Sequence, residues 1–292
     1  MMRGMYAAIS GLQAHQTMLD VTANNLSNVD TIGYKSQRTT FVDQLSQTMR
    51  GASGPTANNA GTNPLQVGLG VQLGSIDNVM TTGSAQSTGN PTDVYVQGEG
   101  FFRVGAGAPP TVPTTPEYTR AGNLTINTLG YVTTQQGLYV IGKDAVATGT
   151  APNITYAPGT TDSYINVPPG STDIAIGQDG GVTYVDQNPA NATYQERVTA
   201  GYISLATFPN ETGLERQGGS LWTQTANSGQ PNVGTPGVNG MGITISGELE
   251  MSNVDMATEF TNMIEAERGY EANSRVITTA DQMLQTLVNM KQ

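Results

Sequence analysis

The chain is predicted to fold as an α+β protein: a discontinuous helical coiled-coil domain built from its two ends, with a mainly-β region between them. Three observations predict this. Near the N-terminus Met5, Ile9, Leu12, Gln16, Leu19, Ala23 and Leu26 alternate steps of four and three, the spacing of one apolar stripe on a helix. Near the C-terminus Met256, Met263, Tyr270, Ile277 and Leu284 recur every seven residues, with Ala266, Ala280 and Leu287 as companions. Between the two stripes, short β-branched and aromatic runs are separated by turn residues.

In chain order, residues 3–29 read as the first helix, stopped by the Asx residues at 28–30 and by Gly33. The stretch 34–49 fits either an extended or a helical conformation, and 51–64, rich in Gly, Asn and Pro, is a loop. Strand signals begin at Val67. Val94–Val96 and Phe101–Val104 are short β runs. Leu124–Ile126 with Tyr131–Thr133, and Ile174–Ile176 with Val182–Val185, read as hairpins around Gly-containing turns. A third hairpin is expected from Tyr202–Phe208 turning at 209–213. Residues 145–172 show little strand pattern and read as an outward insertion, and 223–242 as an irregular return path. The last helix starts near Ser252–Asp255, where Ser252-x-x-Asp255 has the form of a capping box with Asp in place of Glu. The expected domains are 1–30 with 253–292 (helical), 31–66 (extended connector) and 67–252 (outer β domain, with a small insertion near 142–196).

Composition narrows the function. Charged residues are 12% of the 292 and the net charge is −11, with no basic residue between Arg50 and Arg103, which disfavours nucleic acid and anionic membrane surfaces. There is no cysteine, hence no disulfide framework. No apolar run reaches the ~20 residues of a bilayer-spanning helix, and no cleaved signal peptide is visible.

Catalytic, cofactor and metal signatures are absent from this reading. His15 is the only histidine and is expected at the surface or in an interface. The glycine pairs lack the lysine of a phosphate loop, and Asp179-Gly-Gly181 lacks the alternating acidic ligands of a calcium loop. No carboxylate pair sits in an acid/base context. The expectation is a non-enzymatic chain without cofactors. The reading of another class, an extracellular β-scaffold enzyme or adhesin, leaves the two heptad stripes without a purpose.

The segment Ala23-Asn-Asn-Leu-Ser-Asn-Val-Asp-Thr-Ile-Gly-Tyr-Lys35 closely resembles the N-terminal signature of the flagellar rod and hook proteins. Residues 247–264 and 266–274 resemble that family's closing segment, and 88–102 and 118–123 its β-domain motifs. Within the family, 46–55 followed by 66–77 is more similar to shorter hook proteins, with the distal rod protein next. The resemblance implies a helical homopolymer in the hook and basal body of the flagellum, a flexible tubular joint between rod and filament. It would be exported by the flagellar apparatus, and its neighbours would be rod, hook-cap and hook–filament junction proteins. Subunit packing is expected at Met5, Ile9, Leu12, Leu19, Leu26, Asn24, Asn25, Asn28, Gly33, Met256, Phe260, Met263, Tyr270, Ile277, Leu284 and Leu287.

Overall fold

The computed structural model describes residues 2–55, 60–107, 109–148, 154–187 and 193–290. The chain is α+β and divides into two compact units. Residues 1–28, 36–79 and 254–292 form one, and residues 29–35 and 80–253 form the other.

The first unit holds both helices and a long antiparallel ribbon. Helix α1 (Met2–Ser27) and helix α2 (Met256–Asn289) lie along one another. The ribbon begins with β1 (Gln37–Asp43), β2 (Ser46–Arg50), β3 (Leu65–Gly68) and β4 (Val71–Asn78), where β1 pairs with β4 and β2 with β3. The base of the ribbon rests on α1, where Ser10 Oγ accepts from the Val71 N–H at 3.4 Å and the Phe41 ring lies 6.1 Å from that of His15. Beyond that base the ribbon is exposed on both strands, including Leu45, Met49 and Leu65. Residues 31–66 are therefore not a simple connector. Alternating polar and β-branched residues let 37–50 pair with 65–78 as strands, while 29–35 joins the other unit.

The second unit is all antiparallel. Its strands are β5 (Ala85–Ser87), β6 (Val94–Gln97), β7 (Phe101–Gly105), β8 (Glu117–Thr119), β9 (Leu124–Ile126), β10 (Val132–Thr134), β11 (Tyr139–Thr148) and β12 (Thr155–Tyr164). After them come β13 (Thr172–Ile176), β14 (Gly181–Val185), β15 (Arg197–Ile203), β16 (Leu205–Thr207), β17 (Glu215–Gly218), β18 (Leu221–Thr223), β19 (Asn232–Gly234), β20 (Ile243–Ser246) and β21 (Glu248–Glu250). The main sheet runs β13-β14-β15-β11-β7-β8-β18-β17. One core gathers Val94, Phe102, Val140, Ile165, Ile203 and Leu205. A second gathers Phe101, Tyr118, Phe208 and Trp222, in which the Phe208 ring meets Tyr118 edge-on at 4.8 Å.

Two of the expected hairpins form, β9–β10 and β13–β14. The third does not. Leu205 and Ala206 pair with Phe102 and Phe101 of β7, and β19 takes the other side of β16, because burying Leu205 and Ala206 against the two phenylalanines outweighs the local turn chemistry. The stretch 145–172 also departs from expectation: β11 and β12 make a bulged antiparallel arm across much of it. Threonine is a good strand former despite its polarity. The tip at 149–153 lies outside the described residues.

Candidate functional site

Helices α1 and α2 run antiparallel in a constant register. Asn25 meets Glu259, His15 meets Gly269, and Gly11 meets Asn273, so equal steps back along α1 match steps forward along α2. The buried positions are small or polar: Ala8, Gly11, Ala14, Thr22 and Asn25 on α1, Ala266 and Ala280 on α2. Small residues let two helix backbones approach closely, toward the short end of the usual 8–10 Å. A Cβ on Gly269 would stand 2.5 Å from His15 Cε1, and one on Gly11 2.8 Å from Asn273 Nδ2. His15 thus lies in the helix seam, half-buried, with its ring over the glycine.

Asn25 organises the far end of this seam. Its Nδ2 donates to the Gln37 carbonyl at 2.7 Å and to Glu259 Oε1 at 3.3 Å, while its Oδ1 accepts from the Gln37 N–H at 2.9 Å. One side chain thereby ties the last turn of α1 to β1 and to the first turn of α2. Burial pushes the Glu259 carboxyl above its ordinary pKa, against the hydrogen bonds from Asn25 and Asn262. Asn28 Nδ2 donates to the Asn24 carbonyl at 2.8 Å and closes the helix end. At the start of α2 the cap is Asp255 rather than Ser252. Its carboxylate accepts from the Ala257 N–H at 3.0 Å and from Thr258 Oγ1 at 2.9 Å, and these bonds hold its pKa below the usual carboxylate value.

The heptad stripes do not make this seam. On α1 the stripe through Met5, Ile9, Leu12, Leu19 and Leu26 lies about a quarter-turn away, at 100° per residue. Ile9 is exposed and the other four are half-buried. On α2 a strict seven-residue spacing drifts ~20° per heptad in a straight helix. Met256 and Tyr270 are exposed, while Met263, Ile277 and Leu284 are half-buried, and the register brings Ile277 opposite the start of α1 but leaves Leu284 beyond it. Phe260 (50% exposed), Ile264 (58%) and Met256 stand at four-residue steps on the open flank, and Leu287 is exposed near the other end. The helices pair through small residues and leave large apolar ones outside. Sequence reasoning missed Gly11 and Gly269, although a glycine inside a helical pattern costs about 1 kcal/mol and so signals a packing reason.

In the β unit, Gly33, Tyr34 and Lys35 are gripped by a buried ionic cluster. Lys35 Nζ donates to Glu250 Oε1 at 2.6 Å and Arg120 Nη1 lies 3.4 Å from Glu250 Oε2, with Lys35 and Glu250 1% exposed and Arg120 2%. Burial pushes the Lys35 ammonium below its ordinary pKa while Glu250 pulls it back up. Arg216 stacks between the Tyr34 ring (4.6 Å) and the Trp222 ring (4.9 Å), and its guanidinium donates to the Lys35 carbonyl. Gly33 adopts φ +66°, and a Cβ there would meet the Arg120 and Ala121 backbone at 2.7–2.8 Å. None of these partners was anticipated, since Arg120, Arg216 and Glu250 are far from the signature in sequence. No cluster of three or more metal-ligating side chains occurs among the described residues.

Three family models match. They are the flagella basal body rod protein over residues 5–35, the flagellar hook protein FlgE/F/G D1 domain over 95–184, and the flagellar basal body rod FlgEFG protein C-terminal over 245–290. Among curated proteins, the flagellar basal-body rod protein FlgG of Bacillus subtilis is 40% identical over all of this chain and all of its own length. FlgG of Agrobacterium fabrum is 38% identical over 97% of each. The flagellar hook protein FlgE of Borreliella burgdorferi is 31% identical, aligned over 441 positions that cover both chains completely.

Proposed function

The chain belongs to the family of flagellar basal-body rod and hook proteins, and within it we propose that this chain is a distal rod subunit that polymerises with copies of itself. The family is a structural component of the flagellum. The observation that carries the rod assignment is length. The rod relatives match from end to end with little insertion, whereas the hook relative needs 441 alignment positions against 292 residues here. The hook reading, favoured by the likeness of 46–55 and 66–77 to shorter hook proteins, is the second reading. Self-association would use the residues the seam leaves outside. Each large apolar side chain that becomes fully buried contributes about 1.5–3 kcal/mol, and a repeated contact between different faces gives an open helical polymer. Neighbouring axial proteins and the flagellar export route complete the proposed setting, and no catalytic role or cofactor is part of it.

Purified hook–basal bodies, sheared to separate hook from rod and probed with an antibody to this chain, test the assignment. Signal in the rod fraction is expected. Signal confined to the hook overturns it in favour of the second reading.

A further inference from the structure

The ionic cluster of the β unit encloses two cations and one fully buried carboxylate, and beside it lies a carboxamide that shares its geometry. Lys35 Nζ donates to the Thr81 carbonyl oxygen at 2.8 Å, and Asn253 Nδ2 donates to that same oxygen at 3.2 Å. The Asn253 N–H donates to the Tyr34 carbonyl at 3.4 Å, so the two backbones run side by side where the two side chains converge. Glu250 Oε1, 2.6 Å from Lys35 Nζ, is held in place by the Gly83 N–H at 2.9 Å and by Arg120 on its other oxygen.

We propose that Lys35 and Asn253 become joined by an intramolecular isopeptide bond, with Glu250 carrying the proton. The neutral Lys35 amine attacks Asn253 Cγ. A proton passes from Nζ to Glu250 and from Glu250 to the departing amide nitrogen. The Nζ–Cγ bond forms, the Cγ–Nδ2 bond breaks and ammonia leaves. Glu250 ends in its starting state, and nothing is oxidised or reduced. Two features of the site favour this course. Burial lowers the Lys35 pKa, the direction that supplies free amine. The product is an uncharged amide that leaves Glu250 paired with Arg120 alone, so one cation and one carboxylate remain in the closed site. The bond would close a covalent ring from residue 35 to residue 253, tying the outgoing chain to the returning one. The proposal does not depend on the rod assignment.

Intact-mass measurement of the folded full chain should give a value one ammonia below that of the sequence. Trypsin should fail to cut after Lys35, and a branched peptide should join it to Asn253. Asn253→Ala sits at the edge of the cluster and keeps the Lys35–Glu250 pair. It should fold and return to its sequence mass, and in denaturing gels it should run more slowly than the ring-closed parent. Glu250→Gln should also lack the bond. An unmodified parent mass with normal cleavage after Lys35 overturns the proposal, and loss of water in place of ammonia overturns the choice of Asn253 by placing the link on Glu250.

Discussion

Asn25 and Glu259 show how much a single contact in this protein carries, since the amide of one serves α1, β1 and α2 together. Glu259 is held there at a cost to its charge. Its folded-state pKa lies above the unfolded value because of burial, so the folded protein binds the more protons in the carboxylate range. Its contribution to stability is present at acid pH and lost as pH rises through the raised folded pKa. Glu259→Gln keeps an oxygen for Asn25 and removes the charge. Helix-pair melting followed by circular dichroism should be higher for this variant at neutral pH and flatter as pH rises above the ordinary glutamate range, and a melt that falls instead would show that the carboxylate is needed ionised. Gly33 is a position of another kind. Its φ of +66° and the nearby Arg120–Ala121 backbone leave no room for a side chain. Gly33→Ala should destabilise the β unit by about 1–3 kcal/mol, read as a lower denaturation midpoint, and an unchanged midpoint would show that 29–35 undocks freely.

At the scale of elements, the helices meet through absent side chains. Gly269→Leu gains helix propensity of up to ~1 kcal/mol but drives a branched side chain into the His15 ring, and overpacking of that kind costs about 1–3 kcal/mol. The net effect should be faster hydrogen exchange along α1 and α2 with the strands of the β unit still protected, and equal protection would mean that the seam can open to admit the new group. The β11–β12 arm is the converse case. Its root packs Val140, Ile141 and Tyr164 into the core, whereas Val146 and Ala147 further out are exposed. Removing residues 146–157 should leave the melting of the β unit within ~0.5 kcal/mol of the parent, as for substitutions at exposed sites. A collapse of the fold would place the arm in the core.

At the scale of the whole molecule, the exposed apolar residues of α2 allow the proposed assembly to be tested apart from folding. Phe260 is half exposed and stands beside Ile264, so Phe260→Asp should leave the monomer's helix content unchanged and raise the critical concentration for polymerisation. Each 1.4 kcal/mol lost per contact is about tenfold, and light scattering against concentration reads it directly. Ile277→Asp should weaken both helix pairing and assembly, because that side chain is already partly inside the seam. Normal polymers from the Phe260 variant would remove this flank from the subunit contact.

Local pattern alone carried the helical ends, the β middle and two of the hairpins, because periodicity and turn residues act over a few neighbours and are written in consecutive positions. Motif resemblance carried the family. Tertiary structure alone decided which face of each helix is the seam. A heptad stripe marks an apolar face without naming its partner, and here the close pairing went to Gly11, Ala14, Ala266 and Gly269, whose value lies in what they leave empty. Tertiary structure also decided that β16 pairs with β7 and β19, and that Lys35, Arg120 and Glu250 meet. Such pairings join residues far apart in the chain, and their energy comes from burial and charge neutralisation that no local stretch of sequence contains.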